Sequence, residues 1–572
     1  MQQASSWVQG WDLVVIGDSP EGCLAAYSAA KAGRKVILLP SFGLEARRPQ
    51  PPALQPLKLT HPSPLLAHMA IESAAYWRGL ELLSDTRLLQ PCASLDFVLD
   101  AEADHPGASA FSRLAPSAAS AGARAALLRP DEARARLGRA PIALPRGAAA
   151  LLQPDGGVLL ARECAGAARA LAARVGVQIK DRLQLRGWRD AGGAFFRVEA
   201  SSPLLPDALS VFESESLLIA PGDWVPESLA LFGLESQLET REALGGGWLA
   251  GEDAAKLPLW QFWGAAAAGP GGDPGAPRPC YGLPALVAGA RAGISQLSWQ
   301  GRLVGAGGGG GGGGGGAFDW APADPAAAAR VLEVSAGSFL RDVSLQQEAE
   351  EEDEEAEAEG QGEAAAEGGP GGKSRPRRRR RLRPQLVTAC ADGLPAVGWH
   401  PGFEAGRALV CCGASAAAAG DGGLPAFALS PVVAKLSADL LLGRIVAPAA
   451  GPAGQADEGA ERREGGRRPA VAGGGPGSGA SSGGGASSSS GGGGGGGDGG
   501  DDGSSSSMAQ ALLAARPAVQ LRAAGGAPAD TLGQLSALQR RRESTAEERE
   551  RAADEASDRG EGRRPRGRGV PL

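Results

Sequence analysis

An α/β fold is predicted by three features near the start of the sequence. Residues 13–16 form a short, continuous apolar run with β-branched side chains, as expected of a buried parallel strand. Residues 23–32 are rich in Ala and lack internal Pro and Gly, which predicts a helix that ends at Gly33. Residues 35–39 predict a second buried strand. A strand, a helix and a strand in this order form a βαβ unit, whose two strands lie parallel in one sheet.

The turn between the first strand and the helix contains part of a glycine pattern. Residues 17–22 read GDSPEG, which matches the dinucleotide-binding pattern G-x-G-x-x-G at its first and third glycines. The middle glycine normally lets the backbone approach a pyrophosphate, and here Ser19 adds a side chain. That side chain is compatible with the site if it points away or donates its hydroxyl to a phosphate oxygen. The N-terminus of the helix, with its unpaired N–H groups, would then face the pyrophosphate.

The second strand ends without the acidic residue that such a site requires. A carboxylate about 20 residues beyond the glycines should accept hydrogen bonds from the ribose hydroxyls. Leu39, Pro40 and Ser41 occupy that region instead. The residues therefore leave two interpretations open. One is a dinucleotide site that departs from the pattern, and the other is a βαβ unit that binds no dinucleotide.

The composition limits the size and the class of the folded part. The chain has 572 residues, of which 89 are Gly. Its long biased tracts leave about 350 residues for folding. The net charge of −7 is divided among separate acidic and basic blocks, so it indicates no particular binding surface. The seven Cys contain no C-x-x-C pair and lie mostly in apolar surroundings, which favours reduced, buried thiols. The chain has four His, so a multi-histidine metal site is not expected.

The sequence offers no membrane or export signal. No apolar run reaches about 18 residues, so neither a membrane span nor a membrane partner is predicted. The first predicted strand starts near residue 11, which leaves no room for a secretory or transit peptide. The last three residues, VPL, are not a peroxisomal address. These observations predict a cytoplasmic protein.

Residues 41–232 continue with a loop, helices and strands. The Pro-rich residues 41–60 predict a loop. Helices are predicted for residues 64–84, 127–137 (entered at Pro130), 161–174 and 223–232. Strands are predicted for residues 177–179, 183–188, 195–200, 209–213 and 217–222. The third and fourth of these strands are expected to belong to a small antiparallel sheet.

Several segments of biased composition predict insertions or disorder. The predicted low-complexity insertions are residues 101–122, 264–278, 305–317 and 346–384. The last of them contains an arginine-rich run, 375–383, which could attract nucleic acid. No aromatic residues interleave with that run, so a solvated loop is the stronger interpretation and a nucleic-acid partner is not expected. Residues 444–572 predict a disordered tail with possible helical stretches at 508–515 and 531–553.

The order of these blocks resembles a known group of flavoenzymes. Residues 157–188 (GVLLARECAGAARALAARVGVQIKDRLQLRGW) and 216–234 (SLLIAPGDWVPESLALFGL) are similar to monomeric sarcosine oxidase and its relatives in the D-amino-acid oxidase group. The resemblance continues at residues 281–284 (YGLP), 391–393 (ADG), 410–415 (VCCGAS) and 430–435 (SPVVAK). Across residues 11–443 the blocks follow the order of the family, which is more specific than the glycine pattern alone.

The resemblance implies FAD and a set of residues that bind it. In the family, a strand ending in Ala-x-Gly and followed by Trp lies against FAD, and a backbone contact to the adenine precedes a Gly-hydrophobic pair. The predicted cofactor-binding residues are Gly17, Ser19, Pro20, Glu21, Gly22, Pro40, Ser41, Leu185, Ala220, Gly222, Trp224, Gly413 and Ser415. No residue is predicted as catalytic.

Three departures from the sarcosine oxidases concern the chemistry. Gln385 stands where those enzymes attach the flavin through a Cys, so we expect non-covalent FAD. Ser295 stands where a lysine promotes the reduction of oxygen, and Ala428 stands where a cation holds the substrate carboxylate. Together these differences argue against an efficient sarcosine-type oxidase.

The resemblance implies a Rossmann-type FAD-binding parallel sheet built from residues 11–60, 145–235 and 385–443. A substrate domain of residues 61–100 and 236–345 would carry a mixed or antiparallel sheet over the flavin ring. The main hypothesis is an FAD-dependent oxidoreductase that oxidises a C–N bond of a small amine or amino-acid-like substrate by hydride transfer to the flavin. The alternatives are a catalytically lapsed flavin-fold protein that serves as a binding or interaction module, and a nucleic-acid-associated protein.

Overall fold

The computed structural model describes a part of the chain. The described residues are 9–40, 42, 54–99, 101, 106–138, 142, 144, 147–222, 225–235, 239–250, 257–264, 280–284, 293–303, 343–345, 382–389, 394–403, 406–412, 426–445 and 522–523. The chain divides into two compact units, one formed by Met1–Arg444 with Val519–Leu572 and the other by Ile445–Ala518. Every described residue except Ile445 belongs to the first unit.

The described residues form seven α-helices and 22 strands. The helices are α1 (Pro20–Lys31), α2 (Pro64–Ser84), α3 (Pro106–Ser120), α4 (Pro130–Leu137), α5 (Ala161–Arg174), α6 (Val225–Ala230) and α7 (Ser430–Leu441). The strands in the first half are β1 (Gln9–Ile16), β2 (Val36–Leu39), β3 (Leu54–Leu57), β4 (Leu89–Pro91), β5 (Ser94–Val98), β6 (Ala126–Leu128), β7 (Ala149–Gln153), β8 (Gly157–Leu160), β9 (Gln178–Ile179), β10 (Gln184–Ala191), β11 (Phe195–Ser202) and β12 (Leu205–Gly222). The remaining strands are β13 (Leu234–Glu235), β14 (Glu239–Ala250), β15 (Leu259–Phe262), β16 (Cys280–Gly282), β17 (Gly293–Leu303), β18 (Val343–Leu345), β19 (Leu382–Ala389), β20 (Ala396–Trp399), β21 (Ala408–Cys412) and β22 (Arg522–Ala523).

The predicted parallel sheet is present, and β1 lies at its centre. Its strand order is β10-β11-β12-β1-β2-β9, with β21 beside β12 and β20 beside β21. Strands β12, β1, β2 and β9 run parallel, and β21 runs parallel to the last part of β12. Val14, Val15 and Ile16 are completely buried because both faces of β1 are covered, which explains the continuous apolar run. Helix α1 follows β1 and packs against α5 and α7.

Strand β12 is longer than the sequence predicts. Residues 209–213 and 217–222 were expected to form separate strands, but β12 is one strand of 18 residues. Its first part pairs antiparallel with β11, and its last part pairs parallel with β1 and β21. The antiparallel strands β10 and β11 are therefore an extension of the parallel sheet rather than a separate small sheet.

A second, mixed sheet is also present, as predicted. Its order is β18-β14-β17-β16-β15-β5-β7-β6, with β19 beside β14. Strands β15 and β5 run parallel, and the other neighbours run antiparallel. A small antiparallel sheet, β3-β8-β4, and the short pair β13-β22 complete the strands.

The sheets divide the chain differently from the predicted boundaries. Strand β7 lies within residues 145–235, which were assigned to the FAD-binding part, but it pairs with β5 and β6 of the mixed sheet. Strand β19 lies partly within residues 385–443, yet it pairs with β14 of the same sheet. Residues 41–60 were expected to form a loop but contain β3, which pairs with β8. The chain therefore passes between the two sheets more often than its composition suggests.

The prediction of a low-complexity insertion at residues 101–122 was wrong. Helix α3 occupies most of this segment. Phe111, Leu114 and Ala118 follow a helical spacing, and all three are buried. Phe111 and Leu114 belong to a core cluster that includes Val98 and Trp263. The Ala- and Ser-rich composition concealed the amphipathic pattern. The other predicted insertions and the tail lie largely outside the described residues.

Two further predictions concern the cysteines and membrane-spanning helices. The cysteines within the described residues are free thiols, as predicted: Cys23, Cys92, Cys164, Cys280, Cys411 and Cys412. Cys390 lies outside the described residues. None of the described helices is long and apolar enough to cross a membrane.

His400 is held in its neutral form within an aromatic cluster. Its Nε2 lies 2.9 Å from the Phe232 carbonyl oxygen, and its Nδ1 accepts a hydrogen bond of 3.0 Å from the Gly402 N–H. The ring also packs against Trp188 and Phe403. Burial lowers the pKa of His400, although the hydrogen bond to Phe232 opposes this effect. The folded chain therefore binds a proton at His400 less readily than the unfolded chain.

We expect the stability to fall as the pH decreases below about 6.5, the ordinary pKa of a histidine. Below that pH the unfolded chain binds protons that the folded chain rejects, so the free energy of unfolding decreases by up to about 1.4 kcal/mol per pH unit for each such histidine. His61 contributes in the same direction, because burial and the nearby Lys58 lower its pKa to about 3. His400→Gln should reduce the slope, as measured by thermal denaturation from pH 7 to pH 5.

The matched control is His68→Gln, which changes an exposed side chain on α2. This variant should keep the slope of the wild-type protein. An unchanged slope in His400→Gln, with the same slope in the control, would contradict the assignment of the pH dependence to His400.

Candidate functional site

The turn that joins β1 to α1 is tightly packed against the end of β12. Gly17 has a φ of +105°, and a Cβ there would lie 2.0 Å from the Ala220 carbonyl oxygen. A Cβ added at Gly22 would lie 2.9 Å from both the Ala220 Cβ and the Gly17 carbonyl oxygen. Both predicted glycines are thus required by the packing of the turn, and the N-terminus of α1 is held at the carboxyl edge of the parallel sheet.

Ser19 caps α1 with its side chain turned into the fold. Its Oγ donates to the Ala220 carbonyl oxygen at 3.3 Å and accepts from the Gly22 N–H at 3.3 Å. This is the first of the two arrangements that the sequence left open, in which the side chain points away from a phosphate. The cap also occupies the Gly22 N–H, and Pro20 at the start of the helix has no N–H. The turn therefore presents fewer backbone donors than a loop with three glycines.

Glu21 links α1 to α7. Its carboxylate is 2 % exposed and accepts a hydrogen bond of 3.2 Å from Ser430 Oγ.

Burial, together with the nearby Asp18 carboxylate, raises the pKa of Cys23 to about 12. Burial also raises the pKa of Cys411. These two thiols therefore stay protonated at neutral pH and are poor nucleophiles.

The carboxyl end of β2 carries no acidic side chain among the described residues. Pro40 follows the strand directly, and Phe42 packs beside Gly17 and meets the Phe232 ring edge-on, with 6.4 Å between ring centroids. Ser41 lies outside the described residues. The departure seen in the sequence is thus real in the structure.

The other predicted cofactor-binding residues lie on strands of the parallel sheet or beyond it. Leu185 is buried on β10, next to an irregularity in the pairing of β10 with β11. Ala220 and Gly222 end β12, where Gly222 pairs with Cys412 of β21. The predicted site residues that lie outside the described residues are Ser41, Trp224, Gly413 and Ser415. The roles of all these residues remain predictions.

The segment expected to hold a substrate carboxylate is built without a cation. Ala428 lies in a 3-10 turn, Ala426–Leu429, just before α7. Its carbonyl oxygen accepts hydrogen bonds from Ser73 Oγ and from Trp77 Nε1, the latter at 2.9 Å. The neighbouring Phe427 stacks on Trp77 with 5.9 Å between ring centroids. The turn is therefore firmly attached to α2, while its position 428 offers only a methyl group.

A buried ion pair that the sequence analysis missed lies in the mixed sheet. Lys58, just after β3, pairs with Asp96 on β5, and the two side chains are 1 % and 0 % exposed. Lys58 Nζ also donates to Gln261 Oε1 at 2.6 Å. Asp96 accepts further hydrogen bonds from Thr60 Oγ1 at 2.9 Å and from Trp263 Nε1 at 2.8 Å. Burial lowers the pKa of Lys58, and the Asp96 carboxylate opposes that shift.

The sequence gives little sign of the Lys58–Asp96 pair. Lys58 follows an apolar strand, and its position within LQPLKLT is the only local signal of an unusual buried charge. Its partner comes from a different strand, which a single sequence does not reveal. The pair joins the end of β3 to β5 and, through Gln261, to β15, so it fixes the entrance to α2 against the mixed sheet.

Comparisons with known proteins agree with this architecture. No protein-family model matches the chain. Peroxisomal sarcosine oxidase from Mus musculus is 25 % identical over 232 residues, which are 40 % of this chain and 55 % of that protein. The match therefore spans about half of the length of this relative.

Three solved structures share the fold. NikD, described as an unusual amino acid oxidase, has a TM-score of 0.54 at 17 % identity, and the match covers 77 % of this chain and 96 % of that protein. L-Proline dehydrogenase from P. horikoshii has a TM-score of 0.52 at 14 % identity, with coverages of 76 % and 94 %. Glycine oxidase from Geobacillus kaustophilus has a TM-score of 0.52 at 16 % identity, with coverages of 77 % and 96 %. The chain thus has the fold of amino-acid oxidase-like proteins, which confirms the predicted fold class and resemblance.

Breaking the buried pair should destabilise the protein strongly. Asp96→Asn leaves the Lys58 ammonium buried without a counter-charge, so we expect the free energy of unfolding to fall by about 3–5 kcal/mol. The double variant Lys58→Met with Asp96→Asn should lose less free energy of unfolding than the two single variants lose in sum. In the double variant both charges are removed, so no unpaired charge stays buried. Chemical denaturation of the four proteins measures both quantities.

Asp190→Asn provides the matched control. Asp190 pairs with Arg407 at 3.1 Å nearer the surface, with side-chain exposures of 31 % and 15 %. Its loss should cost no more than about 1 kcal/mol. Equal destabilisation by Asp96→Asn and Asp190→Asn would contradict the larger effect on the free energy of unfolding that we expect from breaking the buried pair.

Proposed function

We propose that the chain is an FAD-dependent oxidoreductase that oxidises a C–N bond of a small amine or amino-acid-like substrate. The observation that carries the proposal is the turn at Gly17, which holds the N-terminus of α1 at the carboxyl edge of a parallel sheet. The fold shared with an amino acid oxidase, a proline dehydrogenase and a glycine oxidase supports the same class of substrate. The similarity to a mouse sarcosine oxidase supports it independently from the sequence.

The residues at the turn fit the pyrophosphate of FAD. Gly17 lets the turn pack against the Ala220 carbonyl oxygen, and Ser19 is folded inward to cap the helix, so the Ser19 side chain does not obstruct the approach of a phosphate. The positive end of the α1 dipole compensates part of the phosphate charge. When bound, FAD supplies the acceptor for a hydride from the substrate. Leu185 would contact the adenine, and the mixed sheet would cover the flavin ring.

Non-covalent attachment is part of the proposal. Gln385 on β19 takes the position of the attachment cysteine in the resemblance, and an amide does not form that bond. The nearby Cys390 lies outside the described residues. The electron acceptor is proposed to differ from that of the sarcosine oxidases, because Ser295 on β17 replaces the lysine that promotes oxygen reduction.

The charges near the site favour an altered substrate specificity. Ala428 provides no cation, and the Lys58 ammonium is already neutralised by Asp96 and closed off from solvent. Within the described residues around Lys58 and Ala428, no unpaired cation is therefore available to bind a substrate carboxylate. We infer a substrate whose amine, rather than its carboxylate, provides most of the recognition. The same features favour the second candidate, a catalytically lapsed protein that keeps the flavin fold as a binding module.

The location and the partners stay predictions. The mouse relative is named for the peroxisome, which differs from the cytoplasmic location predicted from the sequence. A small-molecule substrate follows from the proposed reaction, and neither nucleic acid nor a metal is part of the proposal.

Anaerobic reduction tests the proposed reaction. Protein loaded with FAD is mixed without oxygen with sarcosine, glycine, L-proline and simple secondary amines, and the visible absorbance of the flavin is followed. We expect bleaching by at least one of these compounds, because oxidation of the C–N bond delivers two electrons to FAD. Acetate and pivalate, which have a carboxylate but no amine, serve as controls and should leave the spectrum unchanged.

The result also separates the two candidates. Flavin that stays oxidised with every compound, yet is reduced by dithionite, would reject the oxidoreductase and support the lapsed binding module. Bleaching by simple amines as fast as by amino acids would agree with the missing cation at Ala428. Bleaching that requires a carboxylate would contradict the proposed specificity.

A further inference from the structure

Arg169 on α5 bridges two aspartates that follow different strands of the parallel sheet. Its Nη1 lies 3.4 Å from Asp18 Oδ2, and its Nη2 forms a close ion pair with Asp181 Oδ1. Asp18 lies in the turn after β1, and Asp181 comes two residues after β9. The side chains of Arg169, Asp18 and Asp181 are 31 %, 27 % and 62 % exposed, so solvent and ligands reach this cluster.

The sheet order places this bridge at the end of β2. Strand β2 lies between β1 and β9, and the Lys180 N–H donates to the Leu38 carbonyl oxygen at 3.0 Å. All three strands run in the same direction, so their carboxyl ends lie along one edge of the sheet. Asp18 and Asp181 therefore flank the position of Pro40, where an acidic residue was expected and is missing.

The bridge contains carboxylates, which can accept hydrogen bonds from a ribose, whereas the side chain of Pro40 cannot. A ribose presents two adjacent hydroxyl groups, and a carboxylate accepts hydrogen bonds from both. Arg169 pairs with one oxygen of Asp181 and thereby limits the rotation of the carboxylate. With one positive and two negative charges, the bridge carries a net charge of about −1 rather than −2, which reduces repulsion of a nearby pyrophosphate. An unpaired acidic pair would repel that pyrophosphate more strongly.

We propose that Asp181, positioned by Arg169, accepts the hydrogen bonds of the adenosine ribose of FAD in place of the acidic residue missing from the end of β2. The proposal rests on the proposed function, because it assigns a residue to the cofactor inferred there. Asp181 reaches the ribose from the end of β9, the neighbour of β2, rather than from β2 itself. The dinucleotide site is thus complete although its sequence pattern is not.

Titration of the flavin-free protein with FAD and with an FAD analogue that lacks the ribose 2′-hydroxyl of adenosine tests the assignment. The wild-type protein should bind FAD about tenfold more tightly than the analogue, the effect of one hydrogen bond to a charged acceptor. Asp181→Asn should weaken FAD binding about tenfold and reduce the preference for the 2′-hydroxyl to less than about twofold. Quenching of flavin fluorescence measures each Kd. A variant that only disturbs the fold would weaken the binding of FAD and of the analogue equally, and it would keep the preference for the 2′-hydroxyl.

Asp190→Asn is the matched control, since it removes an aspartate on β10 that also pairs with an arginine, Arg407. It should keep the wild-type preference. The assignment is overturned if Asp181→Asn keeps both the affinity and the preference of the wild type. It is also overturned if ADP carrying a 2′-phosphate binds more tightly than ADP, because Arg169 would then serve a phosphate. A wild-type protein that binds neither FAD nor ADP refutes the proposed function, and the ribose assignment with it. Binding of FAD without preference for the 2′-hydroxyl refutes the ribose assignment alone.

Discussion

The contact between the turn after β1 and the end of β12 determines where everything else lies. The Ala220 carbonyl oxygen is so close to Gly17 that no side chain fits there, and Ser19 Oγ donates to the same oxygen. Strand β12 also pairs with β1, β11 and β21, so this one contact fixes the N-terminus of α1 relative to the whole parallel sheet. A binding site for a dinucleotide needs this rigidity, because its donors must be aimed before the ligand arrives.

Local patterns in the sequence predicted a large part of the fold. The bounds of α2 and α5 agree with the prediction, since each is a long amphipathic or Ala-rich run with a clear start. The segments that failed have a composition that hides their pattern. Helix α3 consists mainly of Ala and Ser, and β3 contains Pro56, which is rare inside a strand. In these segments the tertiary packing decides the structure.

The candidate site was predicted less completely because its decisive contacts join distant residues. The glycine turn is a local motif and was recognised, but the inward direction of Ser19 depends on Ala220. The Lys58–Asp96 pair and the Arg169 bridge each join separate elements, and no short pattern announces them. The sequence showed what was missing at Pro40 and Ala428, whereas only the structure showed which charged groups stand nearby.

The measurement that tests the central claim most directly is the absorbance spectrum of the purified full-length protein with added FAD, before and after acid precipitation. The proposed site predicts flavin bands in the protein after removal of free FAD, and release of those bands into the acid supernatant. Flavin that stays in the pellet would contradict non-covalent binding. A spectrum without flavin bands, even with added FAD, would mean that the turn after β1 and the end of β2 do not form a flavin site, and the proposed function would be wrong.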